Sequence, residues 1–200
     1  MEKEKEIQVT LAHEFWCCSR ELNAFIRAST ALLALENSKE TKLEAFTAYD
    51  NFVRLFYSFY EGIIKYRNAE LISGLKPHEV GPKISEILVE EVEKLVRNQV
   101  AVYNSHPDLD IRELQHLTAS EVPDSFGKDF RQMRNRFAHP SLARVNESDL
   151  TLLEFYHRYH KYLLLLYRTC AFSWSIKSIE EYDWAEIDNF FSHLNGAANS

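Results

Sequence analysis

Glycine and proline are scarce in this chain, with five of each among 200 residues. A β-sandwich or a β-barrel needs many tight turns, and these two residues supply the backbone conformations that such turns require. The scarcity therefore favours long α-helices joined by few loops. Because 46% of the residues are hydrophobic, the chain also has enough apolar side chains to form the core of one domain.

Apolar side chains recur at steps of three and four residues along much of the chain, which is the periodicity of amphipathic helices. This pattern predicts helices at about 5–35, 40–73, 84–102, 123–139, 148–177 and 179–194. Connections are expected at 74–82, which contains Gly74, Pro77, Gly81 and Pro82, and at 103–122, where one short helix could cover 111–117. We predict an all-α fold, an antiparallel bundle of about five to six helices in a single domain over residues 1–200.

The densest apolar pattern lies in the second helix, which we therefore expect to be central and buried on more than one side. Its two predicted core rows are Leu43, Phe46, Tyr49, Val53, Phe56, Tyr60 and Ile63, and Phe52, Leu55 and Phe59. The stripe of the first helix is Leu11, Phe15, Cys18, Leu22, Ile26 and Leu33. For the fifth helix the predicted stripe is Leu150, Leu153, His157, His160, Leu164, Tyr167, Ala171 and Trp174.

The net charge of −7 means that the chain as a whole is not expected to coat nucleic acid or anionic membranes, so any such contact needs a local basic patch. Residues 1–6 are highly charged and no long apolar stretch follows them, which predicts no signal peptide. The most apolar run, 162–167, is too short to span a bilayer. Three cysteines without disulfide or zinc spacing are typical of a reducing compartment. We expect a cytoplasmic protein with no membrane contact.

A local basic patch does occur between residues 128 and 144. Its five basic side chains, set against the single acid Asp129, are Lys128, Arg131, Arg134, Arg136 and Arg144. A local charge near +4 in an acidic protein indicates an anion site. The alternative is that these cations pair with acids on neighbouring helices.

Within this patch, Arg134 and His139 are five positions apart, so on a continuous helix they would point about 140° away from each other. Both side chains can meet one phosphate only if the helix ends near His139. Pro140 supplies that end, because the residue before a proline avoids the α conformation. Asn135 lies four positions before His139 and shares its face of the helix, within hydrogen-bonding reach.

Residues 134–139, Arg-Asn-Arg-Phe-Ala-His, resemble the R-N-x-x-x-H form of the R-x4–6-H motif of the HEPN superfamily. The segment 56–65, with its aromatic residues and Glu61, is similar to the aromatic helix of that family. The order of the elements also agrees, since a long connection, the motif helix and a long apolar helix follow. The resemblance covers roughly residues 40–175 and leaves the helices at 5–35 and 179–194 as additions.

The resemblance implies an endoribonuclease that works without metal or cofactor. The ribose 2′-hydroxyl would attack its own phosphodiester and give a 2′,3′-cyclic phosphate. Histidine is suited to the proton transfers because its pKa lies near neutrality. Arginine is suited to the charge that develops on the phosphoryl oxygens. Arg134 and His139 are therefore expected to be catalytic, and Asn135 to orient His139 or contact phosphate, unless Asn135 is a solvent-facing or capping residue.

The other residues expected to contact substrate are Lys128, Arg131, Arg136, Arg144 and Glu61. For Glu61 two interpretations remain open. It either reaches into the site and holds an arginine or a histidine, or it forms an exposed pair with Lys65 at four-residue spacing.

HEPN nucleases are generally two-fold dimers, so the resemblance implies a homodimer that brings two copies of Arg134 and His139 to one cleft. It also implies RNA as a partner, a toxin or antiviral-defence role, and a possible antitoxin or regulatory protein. In HEPN toxins controlled by nucleotidyltransferase antitoxins a tyrosine commonly lies two residues after the motif histidine. Ser141 occupies that position here, which does not support regulation of that kind.

Two other functions remain open. The chain could be an inert HEPN domain that binds RNA or a nucleotide without turnover, or a helical bundle that docks a partner protein. A metal site at Glu154, His157 and His160 is less favoured, because steps of three spread the three side chains over about 120° of the helix surface. We expect these histidines to be partly buried and hydrogen bonded, and we expect no metal.

Overall fold

A computed structural model describes residues 2–34, 38–106, 122–138, 150–174, 177, 179–182 and 184–198. The regular structure in these ranges is entirely helical, which confirms the predicted all-α class. The α-helices are α1 (Glu2–Leu33), α2 (Lys39–Arg67), α3 (Ala69–Ser73), α4 (Pro77–Ser105), α5 (Phe126–Ala138), α6 (Leu152–Trp174) and α7 (Ala185–Ala198), and a 3₁₀ turn covers Ile179–Glu181. The short helix expected at 111–117 lies outside the described residues.

The first two helices form an antiparallel hairpin. Near its open end the Tyr66 hydroxyl donates to Glu4 at 3.0 Å, and further along Asn51 donates to Glu21 at 3.2 Å. The turn into α2 is fixed by Ser38, whose side chain accepts a hydrogen bond from the Thr41 amide and so satisfies a donor that the helix itself leaves unpaired. α1 thus belongs to the same core as the rest of the domain.

α2 is the central helix, as its apolar density predicts. Its fully buried residues include Phe52, Phe56 and Phe59, which pack against aromatic side chains of α1, α5 and α6. The prediction was wrong at the start of the row, where Leu43 and Phe46 are 64% and 52% exposed. Among the described residues, the ring contacts of α6 with α2 begin at Tyr49, one turn after Phe46. Ile26 and Leu33 lie near the end of α1 and are also exposed.

α6 runs parallel to α2, and the predicted stripe lies beside its most buried face: Leu164, Tyr167 and Trp174 of the stripe are partly buried against the core. Its buried residues are Leu152, Phe155, Tyr159, Tyr162, Leu163, Leu166 and Cys170. In the predicted stripe, by contrast, Leu153 is 65% exposed and His157 is exposed. The aromatic row that includes Phe155 and Tyr159 packs against the phenylalanines of α5, and this contact decides which side of α6 faces inward.

Two boundaries also differ from the prediction. α2 ends at Arg67 rather than near 73, since both the backbone and the side-chain amide of Asn68 donate to the Ile64 carbonyl. α4 begins at Pro77 rather than near 84, so that Gly81 and Pro82 lie inside a helix. Proline is well tolerated at the first helical position, and the Glu79 carboxylate reinforces the start by accepting a hydrogen bond from the Lys76 backbone amide at 2.8 Å. None of the described helices has both the length and the apolar character needed to cross a bilayer.

Candidate functional site

The motif helix α5 is held against the core by one apolar side. Phe126, Phe130 and Met133 are fully buried, whereas Lys128 and Asn135 are exposed. Arg131, Arg134 and Arg136 are partly buried, because their positions on the helix lie between its buried side and its exposed side. These arginines form a basic edge along the line where α5 packs against α2 and α4.

Arg134 is held at this edge by three neighbours. Its guanidinium donates to Asn135 Oδ1 at 2.9 Å and to Glu61 Oε2 at 3.5 Å, and it lies 5.8 Å from the centre of the Tyr57 ring. Its side chain remains 36% exposed. A guanidinium carries five N–H donors, so these contacts orient Arg134 without using its full capacity for an anion.

Glu61 makes both of the contacts that the sequence suggested, one with Lys65 and one with an arginine of the motif helix. One carboxylate oxygen accepts from Lys65 at 2.7 Å, and the other accepts from Arg134 at 3.5 Å. The carboxylate is thus shared between an intrahelical partner and a cation on another helix. An Arg134 guanidinium anchored on one side in this way presents its remaining N–H groups in a restricted direction.

Arg131 lies one turn before Arg134 and faces α4. Its guanidinium packs on the backbone of Gly81, where a Cβ atom would collide with it. It is also close enough to Tyr57 to influence that residue electrostatically. Burial and, to a smaller extent, Glu61 raise the pKa of Tyr57, Arg131 and Arg134 oppose the rise, and the resulting pKa is about 12. Tyr57 therefore stays a neutral phenol between two arginines.

The charges gathered at this edge are unequal. Arg131, Arg134 and Lys65 supply three positive charges and Glu61 supplies one negative charge, which leaves a balance of +2 within a protein of net charge −7. We call these four residues together with Tyr57 and Asn135 the Arg134 cluster. Chemically, such a cluster can bind a phosphate group and stabilise negative charge that develops on it.

The remaining residues of the predicted site are distributed differently. Lys128 is exposed one turn before Arg131 on α5. Arg136 donates to the backbone carbonyl of Leu150, so it ties the end of α5 to the start of α6. His139 and Arg144 lie outside the described residues. The described part of α5 ends at Ala138, one residue before His139 in the sequence.

Sequence reasoning missed Tyr57 and the pair formed by Tyr159 and Asp129. The Tyr159 hydroxyl donates to Asp129 and is also hydrogen bonded to Ser125 at 2.8 Å. This arrangement removes the only acid of the basic segment from the Arg134 cluster. Tyr57 could have been found from its four-residue spacing to Glu61, which places both on one face of α2.

The alternative metal site does not assemble. Glu154 accepts hydrogen bonds from the backbone and side chain of Thr151, at 2.8 and 3.0 Å, and so caps the start of α6. These bonds lower the pKa of Glu154. Among the described residues no group of three His, Cys, Asp or Glu side chains is placed to hold a metal ion.

His160 is a structural residue of the interior. Its ring stacks on Tyr156 with centres 4.4 Å apart, and its Nδ1 is hydrogen bonded to the Tyr49 hydroxyl at 3.1 Å. Burial lowers its pKa from 6.5 to about 4. This environment matches the expectation of a partly buried, hydrogen-bonded histidine, whereas His157 on the same helix is exposed.

We expect His160 to make the protein less stable as the pH falls from 6.5 towards 4. In that range the unfolded chain takes up a proton at this histidine and the folded chain does not, so the free energy of unfolding decreases. His160→Gln should remove this part of the pH dependence, and His157→Gln should leave it unchanged. Urea unfolding at several pH values measures the effect. An unaltered pH dependence in His160→Gln would contradict the assignment.

Comparison of the chain with protein-family models, with curated proteins and with solved structures finds no match. The resemblance to the HEPN superfamily therefore rests on residues 134–139, on Glu61 and on the order of the helices. Membership of the family stays a prediction.

Proposed function

We propose that this protein is a metal-independent endoribonuclease of the HEPN type. The observation that supports the proposal most directly is the arrangement of Arg134, which is half-exposed, anchored by Glu61 and Asn135, and placed one turn before the end of the motif helix. His139 follows Arg134 by five positions, and Pro140 is expected to end the helix there, so that the two side chains are no longer forced apart.

In the proposed reaction His139 takes the proton of the ribose 2′-hydroxyl as that oxygen attacks the adjacent phosphorus. The bond from phosphorus to the 5′-oxygen breaks, and a proton is returned to that oxygen. Arg134 stabilises the negative charge on the non-bridging oxygens, with a preorganised geometry that needs no rearrangement during the step. The products are a 2′,3′-cyclic phosphate and a 5′-hydroxyl end.

Substrate contacts are assigned to the basic side chains around this centre, Lys128, Arg131, Arg136 and Arg144. Of these, Arg131 is supported best, because it belongs to the Arg134 cluster and faces the same phenol, Tyr57. Phosphate contacts of this kind make binding sensitive to salt and insensitive to base sequence.

We expect the purified protein to cleave mixed RNA in the presence of EDTA. The measurement is gel analysis of the fragments, followed by end-group analysis for cyclic phosphate. Cleavage that stops on chelation would contradict the metal-independent mechanism. RNA binding without cleavage would favour the alternative function, an inert HEPN domain that binds RNA or a nucleotide.

We further expect a homodimer, because one motif supplies one histidine and the reaction uses both a base and an acid. A two-fold interface can bring the Arg134 clusters of two subunits to one cleft. Sedimentation at micromolar concentration should give a dimer of about twice 23.5 kDa. A monomer with cleavage intact would count against this arrangement. A toxin or antiviral-defence role, with an antitoxin or regulatory partner, is the biological setting we propose for such an enzyme.

A further inference from the structure

A second possible site lies on the other side of α2 from the Arg134 cluster. A cavity of about 440 Å³ opens between α1, the end of α2 and the end of α6. This volume falls within the range of about 300–1,000 Å³ that is usual for small-molecule sites. Ile63 lines the cavity and follows Glu61 by two positions, so the two side chains leave α2 in nearly opposite directions.

Three aromatic side chains in the described part of the chain line the cavity. Trp174, Tyr66 and Tyr182 line it, and buried Ile63 contributes an apolar surface. Trp174 is fixed by an edge contact with Phe59, with ring centres 5.7 Å apart. Rings held in this way offer planar surfaces against which a flat ligand can stack.

Both of the charged side chains that line the cavity are cationic. They are Arg67 and Lys177, and no carboxylate is among the described residues that line the cavity. Lys177 lies over the Tyr182 ring, with its Nζ 5.6 Å from the centre. Three acids in the described ranges act on lining residues from outside the lining: Glu91 lies 3.8 Å from the Arg67 guanidinium, Glu4 accepts from the Tyr66 hydroxyl at 3.0 Å, and, beyond the effect of burial, Glu181 raises the pKa of Tyr182.

We propose that this cavity binds a small planar anion, an aromatic ring that carries a phosphate or carboxylate group. The ring stacks against the aromatic walls, while the guanidinium of Arg67 and the ammonium of Lys177 neutralise the anionic group. Arg67 is suited to this role because its side chain is 64% exposed and its pairing with Glu91 is long. The proposal is independent of RNA cleavage and uses none of the residues of the Arg134 cluster.

The test is titration calorimetry of the full-length protein with AMP, indole-3-carboxylate, adenosine and inorganic phosphate. We expect AMP or indole-3-carboxylate to bind with a Kd below about 1 mM. Arg67→Gln and Lys177→Gln should each weaken that binding by about tenfold. Arg97→Gln is the matched control, since Arg97 is an exposed α4 cation that pairs with Glu93 and lines neither this cavity nor the smaller one beside it.

Four results obtained with the unaltered protein and the cavity variants would overturn the inference. These are the failure of both aromatic anions to bind, binding that neither cavity variant weakens, binding of inorganic phosphate as tight as that of AMP, and binding of adenosine as tight as that of AMP. An Arg134→Gln variant separates the two sites. If it abolishes AMP binding, the nucleotide occupies the Arg134 cluster and the inference fails, and if it leaves AMP binding intact, the cavity is supported. Circular dichroism confirms that each variant is folded.

Discussion

His139→Ala and Arg134→Ala are each expected to lower the rate of RNA cleavage by a factor of about 10²–10⁴. This is the usual range for the loss of a general acid–base group, and the loss of a preorganised charge-stabilising donor falls near its lower end. The fold should be unaffected by Arg134→Ala, because the side chain is half-exposed and its ion pair with Glu61 is long. Such pairs contribute about 0–1 kcal/mol to stability. Initial rates on labelled RNA in EDTA, together with melting temperatures, measure both effects.

Lys128→Ala is the matched control for these two variants. Lys128 lies on the same helix as Arg134 but on its exposed side. Its loss should weaken RNA binding slightly at low salt and leave the cleavage step intact. If His139→Ala cleaves as fast as the unaltered protein, the enzymatic function is wrong. If Arg134→Ala instead lowers the melting temperature strongly and changes nothing in RNA assays, the segment is structural and a partner-docking role is favoured.

Glu61→Gln tests whether the anchoring of Arg134 matters for cleavage. The amide removes the negative charge that holds the guanidinium, so we expect cleavage to fall by about tenfold through misplacement of Arg134. Lys65→Gln removes only the other partner of Glu61 and should have a smaller effect. The two variants change the charge by +1 and −1, so a general effect of charge would change cleavage in opposite directions. Equal losses of cleavage in the two variants would contradict a specific role of Glu61 in positioning Arg134.

The helical class and the central position of α2 follow from the sequence because both depend on local periodicity. The face of α6 that points into the core cannot be predicted from the sequence. Its segment 162–167 is apolar on every side, so the pattern fits more than one face. The choice is made by Phe126 and Phe130 of α5, whose rings pack on the Phe155 and Tyr159 side of α6. That contact joins residues too far apart in sequence for periodicity to reveal.

The candidate site could likewise be predicted from the sequence only in part. The basic segment and the spacing of Arg134 to His139 are visible in the sequence, since they lie within one short stretch. The neighbours that orient Arg134 are not, because Glu61 and Tyr57 belong to α2, more than 70 residues earlier. The prediction that Gly81 lies in a connection was wrong for a related reason. Its small size suggested a loop, whereas the structure uses it inside α4 to admit the Arg131 guanidinium.

Gly127→Ala is expected to destabilise the fold more than its small size suggests. A Cβ atom on Gly127 would fall on the backbone carbonyl of Ser85, well inside van der Waals contact, where α5 crosses α4. Neither backbone can rotate away, so the two helices must separate. Overpacking of this kind costs about 1–3 kcal/mol, which for a domain of this length corresponds to a fall in Tm of about 2–12 °C. Thermal unfolding followed by circular dichroism measures it.

Gly81→Ala is the matched comparison for Gly127→Ala. It adds the same methyl group to α4, the other helix of this crossing. The group it meets is the end of the Arg131 side chain, which can move, and the alanine also favours the helix by up to about 1 kcal/mol. We therefore expect Gly81→Ala to keep or raise the Tm while displacing Arg131 from Tyr57 and weakening RNA binding. Equal losses of stability in the two variants would contradict this expectation, and would mean that the Arg131 side chain is held against α4 as firmly as the Ser85 backbone is held against α5.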